Sequence, residues 1–170
     1  NRKALDYGFL LALSCGCKIP DRISFARKNY FYPDLPKSYQ ITQEEEPLGI
    51  GGYITIISDG NSKKIGLKQI HLEEDAGKTI YKDKQSMVDL NRCGIPLIEI
   101  VSNPEINSAN DAISFINAVR TLCRYLGISE GKMEKGNLRC DLNISLSGAN
   151  GKKGIRTEIK NLNSLHKKSH

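Results

Sequence analysis

From Leu138 onward the chain alternates with a period of two. Leu138, Cys140, Leu142, Ile144 and Leu146 are interleaved with Arg139, Asp141, Asn143, Ser145 and Ser147. Successive side chains of a strand point to opposite faces, so this pattern predicts a strand with one dry and one polar face. Gly148-Ala-Asn-Gly151 predicts a turn. Ile155, Thr157 and Ile159 then alternate with Arg156, Glu158 and Lys160, which predicts a returning strand. A hairpin of this kind commits the chain to antiparallel pairing.

The other segments agree with that architecture. Tyr53–Ile57 reads as a strand, Asp59-Gly60-Asn61 as a turn and Lys64–Leu72 as the return. Thr79–Lys82 and the apolar run Ile95–Val101 read as further strands, the latter broken by Asn103-Pro104. Ala4, Leu5, Phe9, Leu11, Ala12 and Cys15 fall at helical spacing, so a helix opens the chain and ends at Gly16. A second helix follows Ser108-Ala-Asn-Asp111, with one apolar stripe through Phe115, Ile116, Val119, Leu122, Cys123 and Leu126, closed by Gly127. Residues 21–47 hold no period and read as an irregular segment facing substrate, or as a solvated loop. Strands in hairpins with two helices give an α+β fold, an antiparallel sheet with flanking helices.

Composition narrows the function classes. Apolar residues make up 39% of 170, enough for a core. No run of about 18 apolar residues exists to cross a membrane as a helix. Lys and Arg number 25 against 19 Asp and Glu, a net charge of +6. That excess suits a polyanion such as RNA, or a merely solvated basic surface. Trp is absent and aromatics are 6%, a poor supply for a base-stacking platform. Five cysteines without a CxxC pair read as reduced thiols. Phosphate-loop, dinucleotide and zinc-protease motifs are absent.

Chemistry concentrates in His71-Leu-Glu-Glu-Asp75-Ala-Gly-Lys78. Three adjacent carboxylates repel and need compensation. Oxygen ligands of this kind suit Mg²⁺, and Lys78 suits a phosphate, although a solvated acidic turn has the same pattern. Glu99, set among Leu97, Ile98, Ile100 and Val101, needs a metal or a cation if buried; Arg92 is the structural alternative. Arg139, Asp141, Arg156, Glu158 and Lys160 share a polar hairpin face that could hold a phosphate group, or could merely pair across strands.

Taken together, Arg27-Lys-Asn-Tyr-Phe-Tyr-Pro-Asp-Leu-Pro36, Ser38–Gln43, His71–Lys78, Asn91–Val101, Leu138–Asn143 and Glu158–Asn163 resemble the B subunit of the glutamyl-tRNA(Gln)/aspartyl-tRNA(Asn) amidotransferase, in that family's order. The resemblance implies a glutamine-synthetase-like cradle and an ATP- and Mg²⁺-dependent reaction. The side-chain carboxylate of Glu on misacylated tRNA(Gln) is phosphorylated, then amidated with ammonia from a partner A subunit, with a small C subunit in the assembly. It implies metal ligation by Glu74 and Glu99, with His71 as a further ligand. It also implies catalytic roles for Lys78, Arg139 and Asp141, and nucleotide contacts from Lys78, Arg92, Arg156 and Lys160. A chain starting at Asn1 reads as part of the catalytic domain. The family's Gly-Leu-Glu-Ile-His strand and zinc cysteines would precede it, and helical and tail domains would follow. Thr42 and Asp89-Leu90 point to the mitochondrial matrix, with bacterial cytoplasm or plastid as alternatives. The rival reading is an inactive module that docks tRNA or aids assembly.

Overall fold

In a computed structural model the described residues are 1–148 and 154–162. The chain divides into two compact units, Asn1–Asn107 and Ser108–His170. The first contains α1 (Arg2–Ser14) and eight strands: β1 (Ala26–Asn29), β2 (Tyr39–Thr42), β3 (Gly49–Ile50), β4 (Tyr53–Ser58), β5 (Asn61–Glu74), β6 (Lys78–Lys82), β7 (Gln85–Asp89) and β8 (Pro96–Ser102). The second contains α2 (Ala109–Tyr125), β9 (Cys140–Ile144) and β10 (Thr157–Leu162). All the strand pairings are antiparallel, so the fold is α+β.

The long strand β5 organises the first unit. Its first half pairs with β4 and its second half with β3 on one edge and β8 on the other. Alternation along β4 buries Ile54 and Ile56, and leaves Tyr53 and Ile57 exposed. Along β5 the buried residues change parity, from Ile65 and Leu67 to Ile70 and Leu72. The register shows why: Leu67 faces Ser102 and Gln69 faces Val101, so a bulge at Lys68 inserts one residue. A bulge moves every following side chain to the other face. Ile70 and Leu72 thereby stay with the core, and Gln69, His71 and Glu73 turn to the opposite face. Gly8 of α1 lies against Leu48 and Leu72, which seats the helix on the core side.

Residues 21–47 are more ordered than their sequence suggests. β1 and β2 form a hairpin registered Ala26 to Thr42 and Asn29 to Tyr39. No apolar alternation marks it, because β1 is largely exposed and its binding comes from elsewhere. Arg27 and Lys37 lie over the Tyr39 ring, at 4.7 and 4.8 Å from its centroid. Beyond the end of β3, glutamines of this segment satisfy the free edge of β5. Leu72 N donates to Gln43 Oε1 at 2.9 Å, and Gln40 Nε2 donates to the Glu74 carbonyl at 2.7 Å.

The β6–β7 hairpin turns on Asp83 and Lys84, both at positive φ. Two such residues make the mirror-image turn that suits hairpin twist. Neither is glycine, which hid β7 from the sequence.

In the second unit Ser108 caps α2, its Oγ accepting from Asp111 N at 3.0 Å. Ile116, Val119 and Cys123 form its buried stripe, and Gly127 follows at φ +67°. β9 and β10 pair with Asn143 opposite Glu158 and Leu142 opposite Ile159, so part of the expected polar face forms, while Arg139 and Arg156 lie outside the two strands and the register shifts after Ile159. The face expected to be dry does not stay so among the described residues: Ile144, Leu146, Ile155 and Ile159 are exposed. Residues 149–151 of the expected turn lie outside the described residues.

Candidate functional site

Antiparallel register sets His71 of β5 directly opposite Glu99 of β8. Directly opposed residues point to the same face, and Glu73, two residues along, shares it. The His71 Nε2 lies 3.1 Å from Glu99 Oε2 and 3.4 Å from Glu73 Oε1. One ligand atom from each of the three residues falls within 4.8 Å of the others. The imidazole is 7% exposed and the Glu99 side chain 48%, so the cluster is buried on one side and open on the other.

Neighbouring side chains hold this arrangement. Gln69 Nε2 lies 3.2 Å from His71 Nδ1. Thr42 Oγ1 donates to Glu73 Oε1 at 2.9 Å, and Gln40 Nε2 approaches Glu73 Oε2 at 3.4 Å. Burial disfavours a charged His71, but its hydrogen bonds to Glu73 and Glu99 and the charges of both carboxylates outweigh that. Together they hold its pKa at about 9. For Glu73 burial works against ionisation; hydrogen bonds from His71 and Thr42, with the charges of His71 and Lys28, outweigh it and keep the carboxyl below its ordinary value.

Two carboxylates and one imidazole on adjacent strands are a chemically suitable set for a divalent ion. Around an ion with bonds of about 2.1 Å, adjacent ligand atoms sit about 3 Å apart and opposed ones about 4.2 Å. The separations of 3.1 and 3.4 Å from His71 Nε2 already match the adjacent spacing, and the Glu99 side chain is open to solvent. A metal on Nε2 requires the proton on Nδ1, and rotation of the Gln69 amide would present its oxygen as the acceptor.

Glu74 has a different place. Alternation sets it on the face of Ile70 and Leu72, opposite Pro96, and so away from Glu99. Its carboxylate pairs with Lys37 and accepts from Ile41 N at 2.9 Å. The sequence expectation of a Glu74–Glu99 pair sharing one ion therefore meets a correction of geometry, with Glu73 standing beside His71 and Glu99 instead. The signal was present in the sequence: residues 71 and 73 share a strand face, and 71 and 74 do not. Arg92 also differs from expectation. It reaches buried Asp75, Nε to Oδ2 at 3.1 Å, rather than Glu99, and so braces the turn after β5. Lys78 starts β6 opposite Asp89 and is exposed.

Arg139, Asp141, Arg156, Glu158 and Lys160 belong to the second unit, whereas the His71 cluster belongs to the first. Lys160 Nζ lies 3.5 Å from Glu158 Oε2, an exposed ion pair. None of the five cysteines forms a disulfide. No helix among the described residues is long and apolar enough to cross a membrane.

The 21–47 segment also gathers aromatic residues. Phe25, Tyr30, Phe31, Tyr32 and Tyr39 fall within one short stretch. Phe31 is 84% exposed and Tyr32 is exposed as well, on a loop anchored by fully buried Leu35.

Comparisons with known proteins identify the family. Residues 1–169 match the model of the GatB/GatE catalytic domain. The chain is 51% identical over 166 residues to the B subunit of the aspartyl/glutamyl-tRNA(Asn/Gln) amidotransferase of Persephonella marina, covering 97% of this chain and 35% of that one. It is 50% identical over 167 residues to the protein of the same name from Staphylococcus epidermidis (strain ATCC 12228 / FDA PCI 1200), covering 98% and 35%. The corresponding protein from Lawsonia intracellularis is 50% identical over 168 residues, covering 97% and 35%. The chain thus spans about a third of the length of these relatives. With nearly every residue matched, the chain belongs to the GatB/GatE catalytic domain family.

Proposed function

We propose that this chain is the phosphorylating part of the B subunit of a tRNA-dependent amidotransferase, acting on Glu-tRNA(Gln) with ATP and Mg²⁺. The His71–Glu73–Glu99 cluster carries the reading. The relatives' names, which refer to both aspartyl- and glutamyl-tRNA, support the substrate class.

A side-chain carboxylate is a poor electrophile, and phosphorylation gives it a leaving group. A divalent ion held at the cluster would supply charge neutralisation for the transferring phosphoryl group. Glu73 and Glu99 would supply the anionic ligands and His71 Nε2 the neutral one. Thr42 and Gln40 keep Glu73 oriented before the ion arrives. The exposed side of the cluster leaves room for water and substrate oxygens. Lys78 and Arg92 are proposed for nucleotide contacts in the first unit. Arg139 and Asp141 are proposed for catalysis, and Arg156 and Lys160 for nucleotide, in the second. A partner glutaminase would deliver ammonia to displace phosphate, in an assembly with a small C subunit. The mitochondrial matrix is proposed on Thr42 and Asp89-Leu90; the bacterial relatives favour the cytoplasmic alternative.

The test places Glu73→Gln and Glu99→Gln in the full-length protein with its partners, and measures ATP-dependent formation of Gln-tRNA together with Mn²⁺ binding. Loss of both readouts is expected. Wild-type activity in either variant would remove that residue from the reaction. The rival reading, a tRNA-docking module without catalysis, draws on the charge of +6. It predicts tRNA binding with no Mn²⁺ site.

A further inference from the structure

Arg120 of α2 is buried at its Nε, and that group has no hydrogen-bond partner among the described residues. A buried donor of a charged group left unpaired is costly and calls for an explanation. The surroundings supply one. Arg120 and Arg124 lie one helical turn apart on one face. With Lys132 they line an open cleft of about 530 Å³ in the second unit. Glu130 is the cleft's one acidic lining residue, and Lys132 already pairs with it at 2.9 Å.

The Arg120 side chain is built into place. Gly131 is buried at φ +63°, and a Cβ there would come within 2.7 Å of Arg120 Cγ. Only glycine satisfies both constraints, so the loop closes on the aliphatic stem and directs the guanidinium group. Ser129 fixes that loop, its Oγ accepting from Gly131 N at 3.1 Å and donating to Asn137 O at 3.3 Å.

Helix capping does not account for these cations. Leu126 N takes the Leu122 carbonyl, Ile128 N takes that of Cys123 and Gly127 N takes that of Arg124. The Leu122, Cys123 and Arg124 carbonyls are thus taken by backbone N–H groups and do not call on the guanidinium groups.

We propose that the Arg120–Arg124–Lys132 cleft binds the phosphodiester backbone of RNA. A guanidinium fork matches phosphate oxygens, and two arginines one helical turn apart along an open cleft suit successive phosphates, while Lys132, paired with Glu130, adds a partly neutralised charge. The inference rests on the proposed tRNA substrate only for the source of the phosphate. Its test avoids the metal site altogether.

Binding of a fluorescent RNA hairpin to the full chain is measured by anisotropy in EDTA across a salt series. Inorganic phosphate is titrated separately. Arg120→Gln is expected to weaken RNA binding roughly fivefold and to reduce the slope of log affinity against log salt by about 1. Gly131→Ala is expected to weaken binding with no change of charge, and Arg120→Lys to restore part of the loss. Lys82→Gln, an exposed charge on β6, serves as the control with little effect. Thermal melting accompanies each variant; if Arg120→Gln fails to fold, Arg120→Lys and Gly131→Ala decide. Wild-type RNA binding and slope in a folded Arg120→Gln would overturn the proposal, as would an equal loss in Lys82→Gln. Arg120-dependent binding of inorganic phosphate without RNA binding would overturn the assignment to RNA.

Discussion

Metal binding at His71 must compete with a proton. Burial works against charging the imidazole, yet its bonds to Glu73 and Glu99 hold the pKa at about 9. A divalent ion needs Nε2 deprotonated. At neutral pH the ion therefore displaces a proton held well above ambient pH, which costs about 3 kcal/mol, or about a hundredfold in affinity. Apparent affinity should rise about tenfold per pH unit from about pH 6 to pH 8 and level off near pH 9. Mn²⁺ titrations followed by electron paramagnetic resonance of the free ion would measure this. The metal-free fold should show the opposite trend. A folded pKa raised above about 6.5 contributes stability fully below that value and loses it as pH rises through about 9. The depressed Glu73 contributes above its ordinary pKa and loses it as pH falls. Melting temperature without metal should therefore drop on the alkaline side while metal affinity climbs. In His71→Asn the residual metal affinity should lose its pH slope. A flat profile in the wild type, or the same slope in His71→Asn, would refute the assignment of the titrating ligand.

Two further predictions concern the frame that positions the cluster. Gln43→Ala leaves the buried Leu72 N–H without its acceptor and should destabilise the chain by about 1–3 kcal/mol in urea unfolding. Gly52→Ala meets both positive φ and a Cβ position 2.6 Å from the Cys15 carbonyl oxygen. It should cost at least about 2 kcal/mol, read as a lowered melting temperature, whereas an unchanged value would contradict the close approach of these segments.

The parts of the fold that could be read from sequence are those where period and burial coincide. α2 announced itself by a cap and a stripe, and β4, β8 and β9 by their apolar pattern. The β1–β2 hairpin did not, because its strands are held by cation–π contacts and its neighbour by glutamine side chains, which leave no periodic trace. β7 was hidden by a turn made of Asp83 and Lys84. The site was half legible. His71 and Glu99 stood out as chemistry-bearing residues in apolar strands. The choice between Glu73 and Glu74 needed strand parity, which sets residues 71 and 73 on one face and 74 on the other, while which of those faces meets the core depends on the bulge at Lys68. The change from Ile65 and Leu67 to Ile70 and Leu72 was the available clue. Sheet pairing alone could bring Glu99 to His71 across an intervening hairpin.

The most direct test separates two adjacent glutamates. Mn²⁺ affinity of Glu73→Gln and Glu74→Gln should be compared at one pH above neutrality, with melting curves for both. Glu73→Gln should lose most of the affinity. Glu74→Gln, which disturbs only the contacts to Lys37 and Ile41, should keep it while melting lower. Retained binding in Glu73→Gln together with loss in Glu74→Gln would contradict a metal centre on the His71 face.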